Sequence, residues 1–144
     1  MNKSVLEMLI IIKYKRGDLM TKLYQVYKCD KCGNIVEVLH ESGGELVCCG
    51  QPMTLQTEKS ADKTTEKHVP VIEKLSDGKT KVYVGTTLHP MTNEHFIEWI
   101  EVITSDKIYR KYLKPGSAPE AIFTVDGDII SAREYCNVHG HWKS

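Results

Sequence analysis

Four of the five cysteines fall in one short stretch, Cys29-Asp-Lys-Cys32-Gly33-Asn34 and Cys48-Cys49-Gly50. This spacing constrains the fold more than any other feature. A module of about thirty-five residues cannot bury enough apolar surface to fold by itself. Four thiolates on two turns can instead close on one ion, whose binding energy then becomes folding energy. Gly33-Asn34 supplies the positive φ that a metal knuckle needs after its second cysteine. Strand formers at 23–28 and 35–39 flank the first pair, a Gly-rich turn follows at 41–44, and 45–47 lead back to the second. The pattern predicts a hairpin that returns Cys48 and Cys49 to Cys29 and Cys32, with a tetrahedral sulfur site for iron or zinc. The second pair is adjacent, so its sulfur–metal–sulfur angle must splay, which is unusual for a structural zinc ribbon.

The chain has 144 residues, enough for one ordinary domain or a small one plus a medium one. Its 19 basic and 19 acidic side chains cancel, leaving no electrostatic footprint for nucleic acid or a membrane surface. Residues 1–21 read as a leader. The apolar run 5–12 is well short of the roughly 20 residues that span a bilayer, and no small-residue cleavage site follows it. Met20-Thr-Lys-Leu resembles a fresh start, and Arg16-Gly17 can be encoded by a ribosome-binding sequence. Residues 1–19 are therefore expected to be a mis-assigned start, the alternative being an amphipathic helix. With no secretory signal, the thiols are expected to be cytoplasmic metal ligands rather than disulfides.

Residues 22–57 form the predicted knuckle domain and 58–65 a polar linker without apolar periodicity. Residues 66–144 form the second domain. There, short apolar or alternating runs at 69–75, 81–85, 95–104, 107–113, 121–125 and 128–135 are divided by turn signals such as Ser76-Asp-Gly78, Lys114-Pro-Gly116 and Asp126-Gly127. Strands spaced this way predict a β-sandwich. In 95–103, His95, Ile97, Trp99 and Ile103 fall on one face and Phe96, Ile100 and Val102 on the other, so this strand should be covered on both sides.

The remaining cysteine opens Cys136-Asn-Val-His139-Gly-His-Trp142-Lys, read as a short polar loop after a strand. A thiolate and an imidazole three positions apart can grip one transition metal, though two ligands cannot hold it alone. Further candidates upstream are His68, His89 and His95, each beside a turn-former or at a strand edge. Four imidazoles and one thiolate would make a five-coordinate iron site with one open face. His40 and His141 are expected at the surface.

The motif Cys29-x-x-Cys32-Gly with Cys48-Cys49-Gly50-Gln51-Pro52-Met53 resembles the rubredoxin/desulforedoxin-like iron knuckle. The later part resembles superoxide reductase of the neelaredoxin type. Together, over about residues 22–144, they resemble desulfoferrodoxin, the two-iron form. The resemblance implies a mostly β protein in which the small knuckle precedes an immunoglobulin-like sandwich. It implies iron held by His68, His89, His95 and His139 with an axial Cys136 thiolate, and a second iron at the four cysteines. It also implies reduction of superoxide to hydrogen peroxide without dioxygen release, a rubredoxin-like electron donor and a homodimer. Lys67 matches the family's lysine near the open position, which steers the anionic substrate, and Glu66 the glutamate that helps displace product. Two other readings compete. A zinc-ribbon adaptor module would be colourless and would not need the histidines. A pure electron carrier would need a closed second iron, yet no strong sixth ligand is present beyond Glu66.

Overall fold

The structure is a computed structural model and describes residues 20–61 and 68–144. The possible start at 1–19 and the pair Glu66 and Lys67 lie outside the described residues. Every regular element described is a strand, and the chain divides into two units between Gln56 and Thr57.

The first unit is built on β1 (Val26–Lys28), which pairs antiparallel with β2 (Ile35–Glu37) on one side. After the short ladder of β3 (Val47–Cys48) with β4 (Gln51–Pro52), β5 (Thr54–Leu55) pairs with the other side of β1. Val26, Cys29 and Val38 are buried, whereas Met20, Leu23, Val36, Leu39, Val47 and Leu55 remain exposed. The small interior predicted from length is thus what the unit has, and the four cysteines sit where it would otherwise fray.

The second unit is an immunoglobulin-like sandwich of two antiparallel sheets. One contains β6 (Pro70–Lys74), β7 (Thr80–Val84) and β10 (Glu120–Phe123) in the order β10-β7-β6. The other contains β8 (Ile97–Ile103), β9 (Ile108–Tyr112), β11 (Ser131–Cys136) and β12 (Gly140–Lys143) in the order β12-β11-β8-β9. Alternation on β7 turns Thr80, Val82 and Val84 inward and leaves Lys81 and Tyr83 more open. Val82, Val84, Ala121 and Phe123 meet Ile97, Ile100, Val102, Ala132 and Cys136 across the core.

Three features depart from the sequence expectation. Residues 140–143 are a strand, not part of a polar loop: Cys136 pairs with Gly140, and Gly140 takes φ 81° to close the tight turn. His141 is accordingly 1% exposed, buried on the outer face of its sheet beside Tyr135, while His40 is exposed as expected. Second, β8 has a bulge. Tyr135 pairs with Trp99 but Cys136 with Ile97, so Glu98 is the extra residue. The bulge moves Ile97 to the core face with Ile100 and Val102, where simple alternation placed it with Trp99. Third, the predicted linker begins as part of the sandwich. Lys59 donates its amide to the His141 carbonyl at 3.0 Å and accepts from the Lys143 amide at 2.8 Å.

The outer face of the four-stranded sheet explains why β8 is covered on both sides. Trp99 stacks on Tyr135 at 4.5 Å and 5°, and its indole donates to Glu101. The fully buried Glu101 pairs with Arg110 at 2.7 Å and Arg133 at 3.2 Å, and Arg133 also pairs with Glu58 at 2.8 Å. Buried charges persist there because each meets an opposite charge and hydrogen bonds.

Two candidate metal centres

The cysteine centre is held by two turns. The Cys29 amide donates to the Asn34 carbonyl at 2.8 Å and the Gly33 amide to the Cys29 carbonyl at 2.9 Å, with Gly33 at φ 81°. The second turn runs through left-handed Cys49 and Gly50, φ 53° and 73°. All four sulfurs lie within 4.8 Å of one another. Cys32 and Cys48 are 3.6 Å apart and the adjacent Cys48 and Cys49 3.9 Å. A tetrahedron with metal–sulfur bonds of about 2.3 Å has edges of about 3.8 Å. The sulfurs therefore fit one ion, and the adjacent pair splays only slightly. The Cys32 backbone amide draws the Cys29 thiol down to about 7, while interaction with the Cys32 sulfur pushes Cys48 up and Cys49 up to about 12. Thiols this close resist ionising together, and a cation is their natural partner.

The second centre lies at one end of the sandwich. His68 lies two residues before β6, His89 and His95 lie on the β7–β8 crossover, Cys136 ends β11 and His139 lies on the β11–β12 turn. The structure brings all five sequence-predicted ligands together, one donor atom from each lying within 4.8 Å of the others. The four rings form a square. Neighbouring centroids are 4.6 Å (His68–His89), 4.7 Å (His89–His95), 4.8 Å (His95–His139) and 4.6 Å (His139–His68), at interplanar angles of 66–82°. The His68–His95 diagonal of 6.3 Å is close to that of a flat square with those sides. Ring nitrogens face each other, His68 Nε2 to His89 Nε2 at 3.0 Å and His95 Nε2 to His139 Nδ1 at 3.1 Å. Cys136 Sγ lies 3.7 Å from His139 Nδ1. Such convergence of lone-pair donors suits a transition-metal cation.

Surrounding groups set the donors. His89 Nδ1 bonds the Pro90 carbonyl at 2.6 Å. A carbonyl only accepts, so the proton belongs on Nδ1 and Nε2 carries the lone pair that can ligate a metal. Burial, then the charge of His139, lowers the His95 pKa and favours the neutral ligand form. Burial pushes the Cys136 thiol up, opposed by the backbone amides of His139 and Val138, and the His139 amide reaches its sulfur at 3.4 Å. Cys136 is fully buried, whereas His95 is half-buried and His139 exposed, so the thiolate approaches from the protein side and solvent lies towards His139.

Sequence reasoning did not assign roles to three neighbours. Asn137 accepts from the Phe96 amide at 2.9 Å and donates to the Glu94 carbonyl at 3.0 Å, tying the His139 turn to the His95 segment. Trp142 stacks on His68 at 4.8 Å and 19°, and its indole donates to the His139 carbonyl at 3.2 Å. Glu134, on the inward face beside Cys136, is fully buried, and desolvation raises its carboxyl well above the ordinary range against the pull of Lys59. An acidic residue at an inward position of a strand was the available signal for it.

The fold and the sites define a class: a β protein with a four-sulfur knuckle and a separate four-histidine, one-cysteine centre on a sandwich. The Desulfoferrodoxin family model matches residues 60–144, and that of the Desulfoferrodoxin N-terminal domain matches residues 21–56. The chain belongs to the desulfoferrodoxin family. It is 58% identical to Desulfoferrodoxin of Nitratidesulfovibrio vulgaris over 125 residues, 87% of this chain and 98% of that protein. It is 36% identical to Superoxide reductase of Thermococcus kodakarensis over 110 residues, 64% of this chain and 96% of that one. The crystal structure of the superoxide reductase from Treponema pallidum superposes with a TM-score of 0.70 at 28% identity, covering 83% of this chain and 96% of that one.

Proposed function

We propose that this chain is a superoxide reductase, an oxidoreductase that carries iron in both centres. The observation that carries the reading is the convergence of four imidazoles and a buried cysteine sulfur, one donor atom from each within 4.8 Å of the others. When bound, iron supplies one electron to superoxide, and two protons complete hydrogen peroxide without release of dioxygen. The protein's own contribution is positional. His89 is held in the ligating tautomer by Pro90, Asn137 fixes one ligand loop against the next, and the buried Cys136 would hold a metal from the interior of the sandwich. Lys67 is assigned the steering of anionic substrate and Glu66 the displacement of product, both by their place next to His68 in the sequence.

The knuckle holds the second iron in this reading, with zinc as the competing occupant. The electron donor is a rubredoxin-like protein and the setting the cytoplasm; no helix among the described residues is long and apolar enough to cross a membrane. A homodimer would cover apolar surface on the knuckle, where a groove of about 540 Å3 includes Val36, Val38, Leu39, Leu46, Val47 and Met53.

Metal analysis of protein purified without added metal tests the reading, together with a visible spectrum before and after mild oxidation. Two irons per chain are expected, with a sulfur–iron spectrum and a separate thiolate-to-iron band that appears on oxidation. One iron with only that second band would leave the knuckle structural. A zinc protein that stays colourless after ferrous reconstitution would overturn the assignment and restore the adaptor module.

A further inference from the structure

The docked start of the interdomain segment reaches the iron site from outside the family's ligand motifs. Lys59 forms a one-residue parallel bridge with Trp142 on the free edge of β12, through both of its backbone hydrogen bonds. From that anchor its side chain turns towards the metal end. Lys59 Nζ donates to the His139 carbonyl at 2.8 Å and lies 5.0 Å from the centroid of the Trp142 ring. The same carbonyl receives the Trp142 indole N–H, and the same indole stacks on His68. One ammonium therefore touches the backbone of one ligand and the aromatic backing of another. The preceding residue secures the strap on the opposite face of the sheet, where Glu58 bonds Arg133 at 2.8 Å and Lys143 at 3.5 Å.

We propose that Lys59 is a positioning residue for the catalytic metal, locking the His139 turn and the Trp142–His68 stack into ligating geometry. The inference rests on the reading of the histidine–cysteine cluster as the iron site. The physical argument concerns a ligand on a turn. His139 is the exposed member of the square and sits on the tight β11–β12 turn, so its freedom is the greatest of the five. Two donors converging on its carbonyl restrain that freedom. The cation over the indole also opposes movement of the ring that presses on His68. Losing a group that orients a metal ligand in this way typically costs about 10–100-fold in metal affinity.

The test is the rate of ferrous iron transfer from the full-length holoprotein to a chelator, with the ferric thiolate band as a second readout. Lys59→Met keeps the side-chain length and its aliphatic contact but loses the donor and the charge. It is expected to release the histidine-site iron roughly tenfold faster, the low end for outer-shell residues because Lys59 is exposed, and to shift and broaden the thiolate band. Lys59→Arg retains a donor and a cation and should restore both. Glu58→Gln weakens the strap's anchor without touching the site; it should lower unfolding stability and leave iron release within about twofold of wild type. Wild-type release and an unshifted band in Lys59→Met would overturn the proposal, as would equal acceleration by Glu58→Gln, which would make the effect one of general stability. A wild-type protein that never loads iron at the histidines would instead overturn the site assignment itself, and this role with it.

Discussion

Replacing Asn137 by alanine tests whether the ligand loops are held by the protein or by the metal alone. Its amide group joins two loops through two hydrogen bonds, one accepted from the Phe96 amide and one donated to the Glu94 carbonyl. Alanine removes both and leaves the part-buried Phe96 N–H without its partner. At about 1 kcal/mol per net hydrogen bond, and allowing for solvent reaching the exposed Glu94 side, the loss is about 2 kcal/mol. If that energy serves to hold His139 against His95, metal binding must provide it in the variant, and affinity falls roughly 30-fold. Competition with a ferrous chelator, alongside urea unfolding of metal-free protein, measures both quantities. Asn137→Asp offers an internal check. It keeps an acceptor for Phe96 but sets an oxygen against the Glu94 carbonyl, so it should rank no better than alanine in affinity. Affinity within about twofold of wild type for Asn137→Ala would refute the reasoning, showing that the backbone bond from the Asn137 amide to the Phe96 carbonyl, at 3.2 Å, joins these loops well enough without the side chain.

Other expectations follow from the same geometry. Cys32→Ser should lose the knuckle metal and slow-exchanging amides in residues 26–55, while the sandwich unit still binds one iron; metal analysis with hydrogen exchange checks this. Glu101→Gln should destabilise the sandwich by about 3 kcal/mol, because a buried amide N–H would face the Arg133 and Arg110 guanidiniums, yet leave the thiolate-to-iron band in place. Burial raises the Glu58 pKa, but the hydrogen bond and charge of Arg133, then Lys143 and His141, bring it net below its ordinary 4.5. The stabilisation from a lowered carboxyl is present above the unfolded-state value and fades as pH falls through the folded one. The stability gap between wild type and Glu58→Gln should therefore hold at neutral pH and narrow below about pH 4, as urea titrations across pH would record.

The two clusters of candidate ligands were legible because metal chemistry leaves few substitutes: imidazole and thiolate side chains at turns are conspicuous in any chain. The sandwich was legible because its inner faces alternate, as on β7. What escaped has identifiable physical causes. Strand β12 is composed of Gly140, His141, Trp142 and Lys143, whose polarity signals a loop; it is a strand because β11 offers an edge and Lys59 closes the other side. The bulge at Glu98 has no local sequence mark, since both faces of β8 are buried and either parity looks acceptable. His141 was misplaced at the surface because the outer face of its sheet carries its own buried layer of charges and rings. The Asn137 and Lys59 contacts join residues far apart in the chain, and no spacing rule reaches that far.

The histidine square also has a mechanical meaning. His68 leads into one sheet, Cys136 ends a strand of the other with His139 on the turn that follows, and His89 and His95 lie on the chain that crosses between them. An ion gripped by all five is therefore a rivet through the sandwich, closing a loop of roughly 70 residues that a chain without it would be free to open. The two sheets could part only after the rivet was withdrawn. Resistance to pulling, to proteases and to heat would then be governed by the rate at which metal leaves, so the durability of this protein would track the supply of that metal.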